Sequence, residues 1–195
     1  KGQKVGTIGD IGCFSLQQGK HMTTGEGGIV GTNNPDLGRR VRLFIDKAWG
    51  YGDPNPDHYF LALNYRMTEL QGAVALAQLS KVKWVVEQRQ KTAAMLTELL
   101  QDIKGITLPE STEESTHVYW KYSPVIDTEY FGKDVFEFSK RLKERGIFSA
   151  PRYIQKPAFM CQVLRDKVTY GNSHYPYETC PQREGQPPVD YNPEN

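Results

Sequence analysis

Cysteine is scarce in this 195-residue chain, and the three present, Cys13, Cys161 and Cys180, are scattered and odd in number. That excludes a disulfide framework and fits a reducing, cytoplasmic setting. The four histidines offer no His-Glu-x-x-His spacing, and the cysteines no Cys-x-x-Cys, so no metal site is expected. Charge of one sign is missing too: 24 Lys+Arg face 23 Asp+Glu, for a net charge of +1. Without a basic block there is no electrostatic footprint for nucleic acid. No apolar run approaches the ~20 residues of a membrane span. Hydrophobic residues make up 38% of the chain, enough for a fold but leaving much of its surface wet.

The ends lack familiar signals. The chain starts at Lys1 with neither the charged nor the apolar region of a secretory leader. It finishes in a proline-rich stretch, Gln186 to Asn195. Neither end has the pattern of a natural domain edge, and a fragment is expected. At ~100–200 residues per domain, the length suits one domain or parts of two.

Between the ends, the pattern alternates. Ile11-Gly12-Cys13-Phe14 reads as a short buried strand, and Ile29 to Thr32 as a second, with a Gly- and Thr-rich loop between them. Asn34 before Pro35 and Asp36 predicts a helix start, with Val41, Phe44 and Ile45 as its apolar stripe and an end near Ala48. Residues 49–63 form a long loop rich in Gly, Pro and aromatics, of the length usually tied to function or disorder. Trp49, Tyr51, His58 and Tyr59 either line a pocket there or cover apolar surface. Thr68 and Gln71 have capping-box spacing and open a helical stretch to about Ile103. It is long enough to break or to link two domains. Further on come a strand (Val118 to Val125), a helix (Asp134 to Arg145, stopped by Gly146), a strand (Ile147 to Tyr153) and a weak helix after Pro157. Tyr119-Trp120-Lys121-Tyr122 reads as part of a strand with one buried face, and Arg152 and Lys156 as surface charge.

The densest chemistry lies between Gly12 and Gly28. Gly19-Lys20 invites comparison with a phosphate loop, but Phe14 stands where the first Gly is needed and His21 where Ser or Thr is needed. Gly25-Glu26-Gly27 fails the dinucleotide pattern at Val30. What remains is a lysine in a small-residue loop after a strand, with the Ser15 hydroxyl five positions earlier. Lysine forms Schiff bases with carbonyls, and Ser15 with nearby Gly amides suits an anion. A solvated surface lysine stays the alternative.

Phe14-Ser15-Leu16-Gln17-Gln18-Gly19-Lys20, followed by Thr24-Gly25-Glu26-Gly27-Gly28, resembles the active-site segment of the DegT/StrS sugar aminotransferases. A second block, Leu63-Asn64-Tyr65-Arg66-Met67-Thr68-Glu69-Leu70-Gln71 with Ala75 to Leu79, resembles that family's next motif, in the same order. The resemblance runs from Ile8 to Arg89 and more weakly to Tyr170. It implies an α/β chain with the aspartate-aminotransferase-like fold of pyridoxal-phosphate-dependent transferases. Residues 1–85 would end the large domain, 86–104 would be a connecting helix, and 105–195 would be a truncated small domain. It further implies that Lys20 forms the internal aldimine and moves the proton, and that Ser15 binds the cofactor phosphate. Asn64 would reach the phosphate of the neighbouring subunit in a homodimer, with Arg66, and also Tyr51, at the substrate. The activity implied is transfer of an amino group from glutamate or glutamine to a keto sugar, a nucleotide-linked keto sugar or a keto cyclitol. Gln17-Gln18 is similar to members acting on cyclitol ketones. A dehydrating branch carries His at the lysine position, whereas this chain keeps Lys20 with His21 beside it. The carboxylate and the stacking aromatic that hold the cofactor ring precede the lysine in the family and would lie before Lys1. The fragment alone is therefore expected to be inactive. A non-catalytic or regulatory protein of the same fold, or a dehydratase, is the rival reading.

Overall fold

A computed structural model describes residues 2–169 and residue 177. The chain divides into two compact units, Lys1–Tyr130 and Phe131–Asn195. This division by packing falls later than the expected change of domain over 86–104.

The first unit begins with an antiparallel pair, β1 (Gly12–Ser15) and β2 (Gly28–Gly31), in the register Gly12↔Gly31 to Ser15↔Gly28. Both strands lie where the apolar runs put them, but β1 is not buried. Its side chains stay exposed, Phe14 at 44%, because a two-stranded ribbon with no layer over it cannot enclose both faces.

Helix α1 (Pro35–Ile45) starts as expected: the Asn34 side-chain Oδ1 accepts from the amides of Asp36 and Leu37, and Pro35 occupies the first turn. It ends before Ala48, because Lys47 and Ala48 adopt φ of 55° and 56°, outside the helical region. The predicted stretch from Thr68 is two helices, α2 (Glu69–Leu79) and α3 (Val82–Leu100). The capping box at Thr68 is complete, with Gln71 N–H donating to the Thr68 hydroxyl and Gln71 Oε1 accepting from Thr68 N–H. The break falls at Ser80–Lys81, where the Ser80 hydroxyl bonds back to the Ala77 carbonyl and Lys81 N–H reaches the Gln78 carbonyl in a tighter turn.

After α3, the minimal ladder of β3 (Ile106–Thr107) with β4 (Val125–Ile126) closes the unit. The expected strand from Val118 to Val125, with Tyr119 to Tyr122 inside it, is mostly irregular. Tyr119 sits at φ 46°, and Arg89 Nη1 donates to the carbonyls of Tyr119 and Trp120, so side chains take the partners a ladder needs.

Helix α4 (Thr128–Phe131) spans the division between the units. The second unit holds α5 (Val135–Glu144), capped by Asp134 and stopped at Gly146, whose φ of 79° glycine reaches without a Cβ clash. Phe131 packs on Phe138 with ring centroids 5.3 Å apart, and the Ser139 and Ser149 hydroxyls are 2.7 Å apart. The expected strand from Ile147 to Tyr153 is irregular: Pro151 has no N–H to donate and Arg152 takes φ 48°, and either interrupts a ladder. The weak helix after Pro157 is a 3-10 turn (Ala158–Met160) and α6 (Gln162–Arg165). Cys180 and the proline-rich end lie outside the described residues.

The core is small. Among the described residues, the buried hydrophobic side chains are Leu16, Ala48 and Ala93. Helix α2 leaves Leu70 at 81% and Leu76 at 72% exposed, so its fold-specifying energy comes from its cap more than from burial. No described helix is long and apolar enough to cross a membrane.

Thr68→Ala removes both halves of the box and is expected to lower the unfolding free energy of the full-length protein by about 1 kcal/mol, as read by urea denaturation. Thr68→Ser should restore most of it.

Candidate active site

The loop that carries Lys20 is built outward from Leu16, which is 2% exposed. Leu16 N–H donates to the Gly27 carbonyl, and the Leu16 carbonyl accepts from Thr24 N–H at 3.0 Å and from the Thr23 hydroxyl at 3.0 Å. Inside that closure, Gln17 caps the turn: its Oε1 accepts from Gly19 N–H at 2.8 Å, and its carbonyl accepts from Lys20 N–H at 3.0 Å. The Ser15 hydroxyl oxygen accepts from Gln17 N–H at 3.3 Å, which leaves its own proton to donate elsewhere. Gln71 Nε2 ties the far side of the loop, at the Glu26 carbonyl, to α2.

Lys20 does not point into open solvent. Its Nζ lies 3.8 Å from the centroid of the Trp120 ring, and Trp120 Nε1 donates to the Gly19 carbonyl at 2.8 Å. Next to it, His21 Nε2 donates to the Val118 carbonyl at 2.9 Å. Trp120 escaped sequence reasoning. It is 100 positions from Lys20 in sequence, and nothing local in Tyr119 to Tyr122 points back to the loop.

A second group forms where α1 ends. Asp46 and Asn64 make an isolated antiparallel bridge, flanked by Lys47 N–H to the Leu63 carbonyl and Tyr65 N–H to the Ile45 carbonyl. Asn64 Oδ1 accepts from Arg66 N–H at 3.2 Å and from Arg66 Nε at 3.3 Å, so the amide nitrogen of Asn64 is left as a donor. Arg66 Nε also stands 3.4 Å from Asp46 Oδ1, which pairs with Lys47 as well. Arg66 and Tyr51 share a cavity of about 790 Å³ with Arg39, Arg42, Asp46 and Trp49. Of the loop aromatics, Trp49 and Tyr51 line this space, while His58 packs on Trp49 at 4.9 Å.

The wall of the cavity is held by Asp53. Its carboxylate accepts from Arg39 Nη2 at 2.6 Å and from the Tyr59 hydroxyl at 2.6 Å. The Arg39 hydrogen bond, then that of Tyr59, holds the Asp53 carboxyl below the usual carboxylate range, and the same carboxylate raises Tyr59. Gly50 permits this, since a Cβ there would fall on the Tyr59 hydroxyl and the Asp53 carboxylate.

The five residues singled out in the sequence therefore fall into two sets, Ser15 with Lys20, and Asn64 with Arg66 and Tyr51. Among the described residues no hydrogen bond or ion pair joins one set to the other.

The model of the DegT/DnrJ/EryC1/StrS aminotransferase family matches residues 1–185. The chain belongs to this family. Among curated relatives, the GDP-perosamine synthase of Caulobacter vibrioides is 35% identical over 126 residues, covering 63% of this chain and 33% of that protein. The L-glutamine:2-deoxy-scyllo-inosose aminotransferase of Streptomyces kanamyceticus is 33% identical over 165 residues, 78% of this chain and 38% of the other. Among solved structures, Helicobacter pylori PseC, an aminotransferase involved in the biosynthesis of pseudoaminic acid, superimposes with a TM-score of 0.74 at 24% identity. That match covers 89% of this chain and 47% of PseC. The chain thus spans between a third and a half of the length of these relatives. The fold is that of the pyridoxal-phosphate-dependent sugar aminotransferases, as the two motifs implied.

Because the folded Asp53 carboxyl lies below its unfolded value, its contribution to stability is present above the ordinary carboxylate range and fades as pH falls through the lowered value. In a carboxyl NMR titration Asp53 should therefore titrate below an ordinary aspartate. Arg39→Leu should move its midpoint upward, and an unmoved midpoint would refute the Arg39 contact.

Proposed function

We propose that the full protein transfers an amino group from glutamate or glutamine to a keto sugar, a nucleotide-linked keto sugar or a keto cyclitol, with pyridoxal phosphate as cofactor. The carrying observation is the Leu16-pinned loop of a family member that presents one primary amine, Lys20, and one hydroxyl, Ser15, from the same turn. These donors fit the cofactor's chemistry. An aldehyde calls for an amine, and a phosphate dianion calls for hydroxyl and amide N–H donors of the kind Ser15 and Asn64 have to spare.

When bound, pyridoxal phosphate supplies the electron sink that makes a carbon–hydrogen bond next to nitrogen labile. The rest falls to the chain. Lys20 Nζ would hold the cofactor through its aldehyde, and as a free amine it would take and return the proton at the donor's α-carbon. Ser15 Oγ would donate to the phosphate from the subunit that carries Lys20. The Asn64 amide would donate to it from the neighbouring subunit, which would give the two separate sets of residues one site in a homodimer. The cavity beside Asn64, with Arg39, Arg42 and Arg66 around it, suits an anionic group of the substrate. Arginine presents a planar fork that fits a carboxylate or a phosphate. The two relatives named support a sugar or cyclitol acceptor, and the glutamine in one of their names supports that donor. Dehydration is disfavoured because the amine is retained at Lys20 and the adjacent His21 ring is engaged by the Val118 carbonyl. A regulatory protein has no chemical need for Lys20 and Ser15 together. A cytoplasmic location accompanies this reading, supported by the three scattered cysteines of the sequence.

The full-length protein mixed with pyridoxal phosphate and borohydride should yield a reduced adduct on the Lys20 peptide by mass spectrometry, absent from Lys20→Ala. Ser15→Ala should weaken cofactor retention by about tenfold or more, the value of a hydrogen bond to a charged group. Absence of the adduct from the wild-type protein, or its persistence in Lys20→Ala, would sink the enzyme reading.

A further inference from the structure

Trp120 meets the Lys20 loop twice, through different parts of one side chain. The ring face lies 3.8 Å under Lys20 Nζ, and the ring edge donates from Nε1 to the Gly19 carbonyl at 2.8 Å. A third contact, from His21 to the Val118 carbonyl, docks the same two segments one residue past Lys20 and two before Trp120. Trp120 is itself held from behind, because Arg89 Nη1 on α3 donates to its carbonyl at 3.1 Å. The ring is 36% exposed and Lys20 half-buried, so the amine rests between loop and indole within reach of small molecules. Lys121 Nζ also approaches the ring, at 4.7 Å, farther than Lys20.

We propose that Trp120 is a positioning residue that parks the Lys20 side chain in the cofactor-free protein: its face holds the ammonium and its N–H fixes the backbone that Lys20 hangs from. This rests on the reading of Lys20 as the cofactor lysine. Attraction to the ring face belongs to the charged ammonium. Bonding an aldehyde carbon would use the neutral amine, its proton given up to solvent, and would release water, so Lys20 would leave the indole before it bonded the cofactor. A parked amine is delivered from one defined place, and reacts more slowly with other electrophiles while it waits. Phe keeps a ring face but has no N–H, whereas Leu keeps neither, which separates the two contacts.

The test is competitive acetylation of the full-length, cofactor-free protein with a limiting acylating reagent, read by mass spectrometry. The rate at Lys20 is normalised to the exposed Lys91 and Lys104. A cation–π contact at a partly exposed site corresponds to about a 2- to 5-fold effect, so Trp120→Leu should raise relative labelling of Lys20 by that factor. Trp120→Phe should stay closer to the wild type. That rescue separates positioning from general loosening of the loop, which would raise labelling in both variants alike. Unchanged labelling in Trp120→Leu, or an equal rise in both variants, overturns the proposal. The readout needs no cofactor. A wild-type protein that forms no borohydride-trapped adduct would therefore defeat the enzyme reading while leaving the parking contact measured on its own.

Discussion

The position of Lys20 depends on one backbone closure, the pinning of Leu16 across the mouth of the β1–β2 loop. Its N–H and carbonyl reach Gly27, Thr24 and Thr23, and its side chain is among the few that are buried. Within the closure, the Gln17 side chain and carbonyl bond the Gly19 and Lys20 amides, which folds these residues into a tight turn. A loop held at its neck in this way keeps Ser15 and Lys20 in a fixed relation even though the two strands that lead into it are exposed. Catalytic groups placed by such a neck gain orientation at little cost in packing.

The second constraint is the shortage of cover. The apolar residues of α2 and the rims of both strands meet solvent, with Leu70, Leu76, Phe14 and Val30 among them. Apolar patches of this kind mark surfaces that bind other protein. The chain also spans less than half the length of its relatives, and its five candidate residues form two sets with no bond between them. In the proposed reading, a site assembled from two copies accounts for the two sets.

Legibility from sequence followed locality. Helix starts at Asn34, Thr68 and Asp134 were readable because a cap is a matter of a few adjacent residues. The two loop-flanking strands were readable from their apolar runs. The strands expected over Val118 to Val125 and Ile147 to Tyr153 were not there, since a ladder needs a partner that composition cannot supply. At Tyr119 and Trp120, side chains from α3 claim the carbonyls instead. The helix break at Ser80 turned on one hydroxyl bonding back to Ala77, a choice that periodicity does not see. In the site, the motifs and the aromatic loop single out Ser15, Lys20, Asn64, Arg66 and Tyr51, and the structure places Ser15 and Lys20 on one loop and Asn64 and Arg66 in hydrogen-bond contact. The Trp120 contact was not legible, because it joins residues from opposite ends of the first unit.

The central claim is that one chain supplies Ser15 and Lys20 while another supplies Asn64 to the same site. Subunit complementation tests it directly. Full-length Lys20→Ala and Asn64→Asp proteins should each be defective in transamination. After dissociation and reassembly together, random pairing should restore one intact site in half of the dimers, or about a quarter of the wild-type activity. Activity no greater than that of the two variants assayed apart, in a mixture shown to contain mixed dimers, would contradict the shared site.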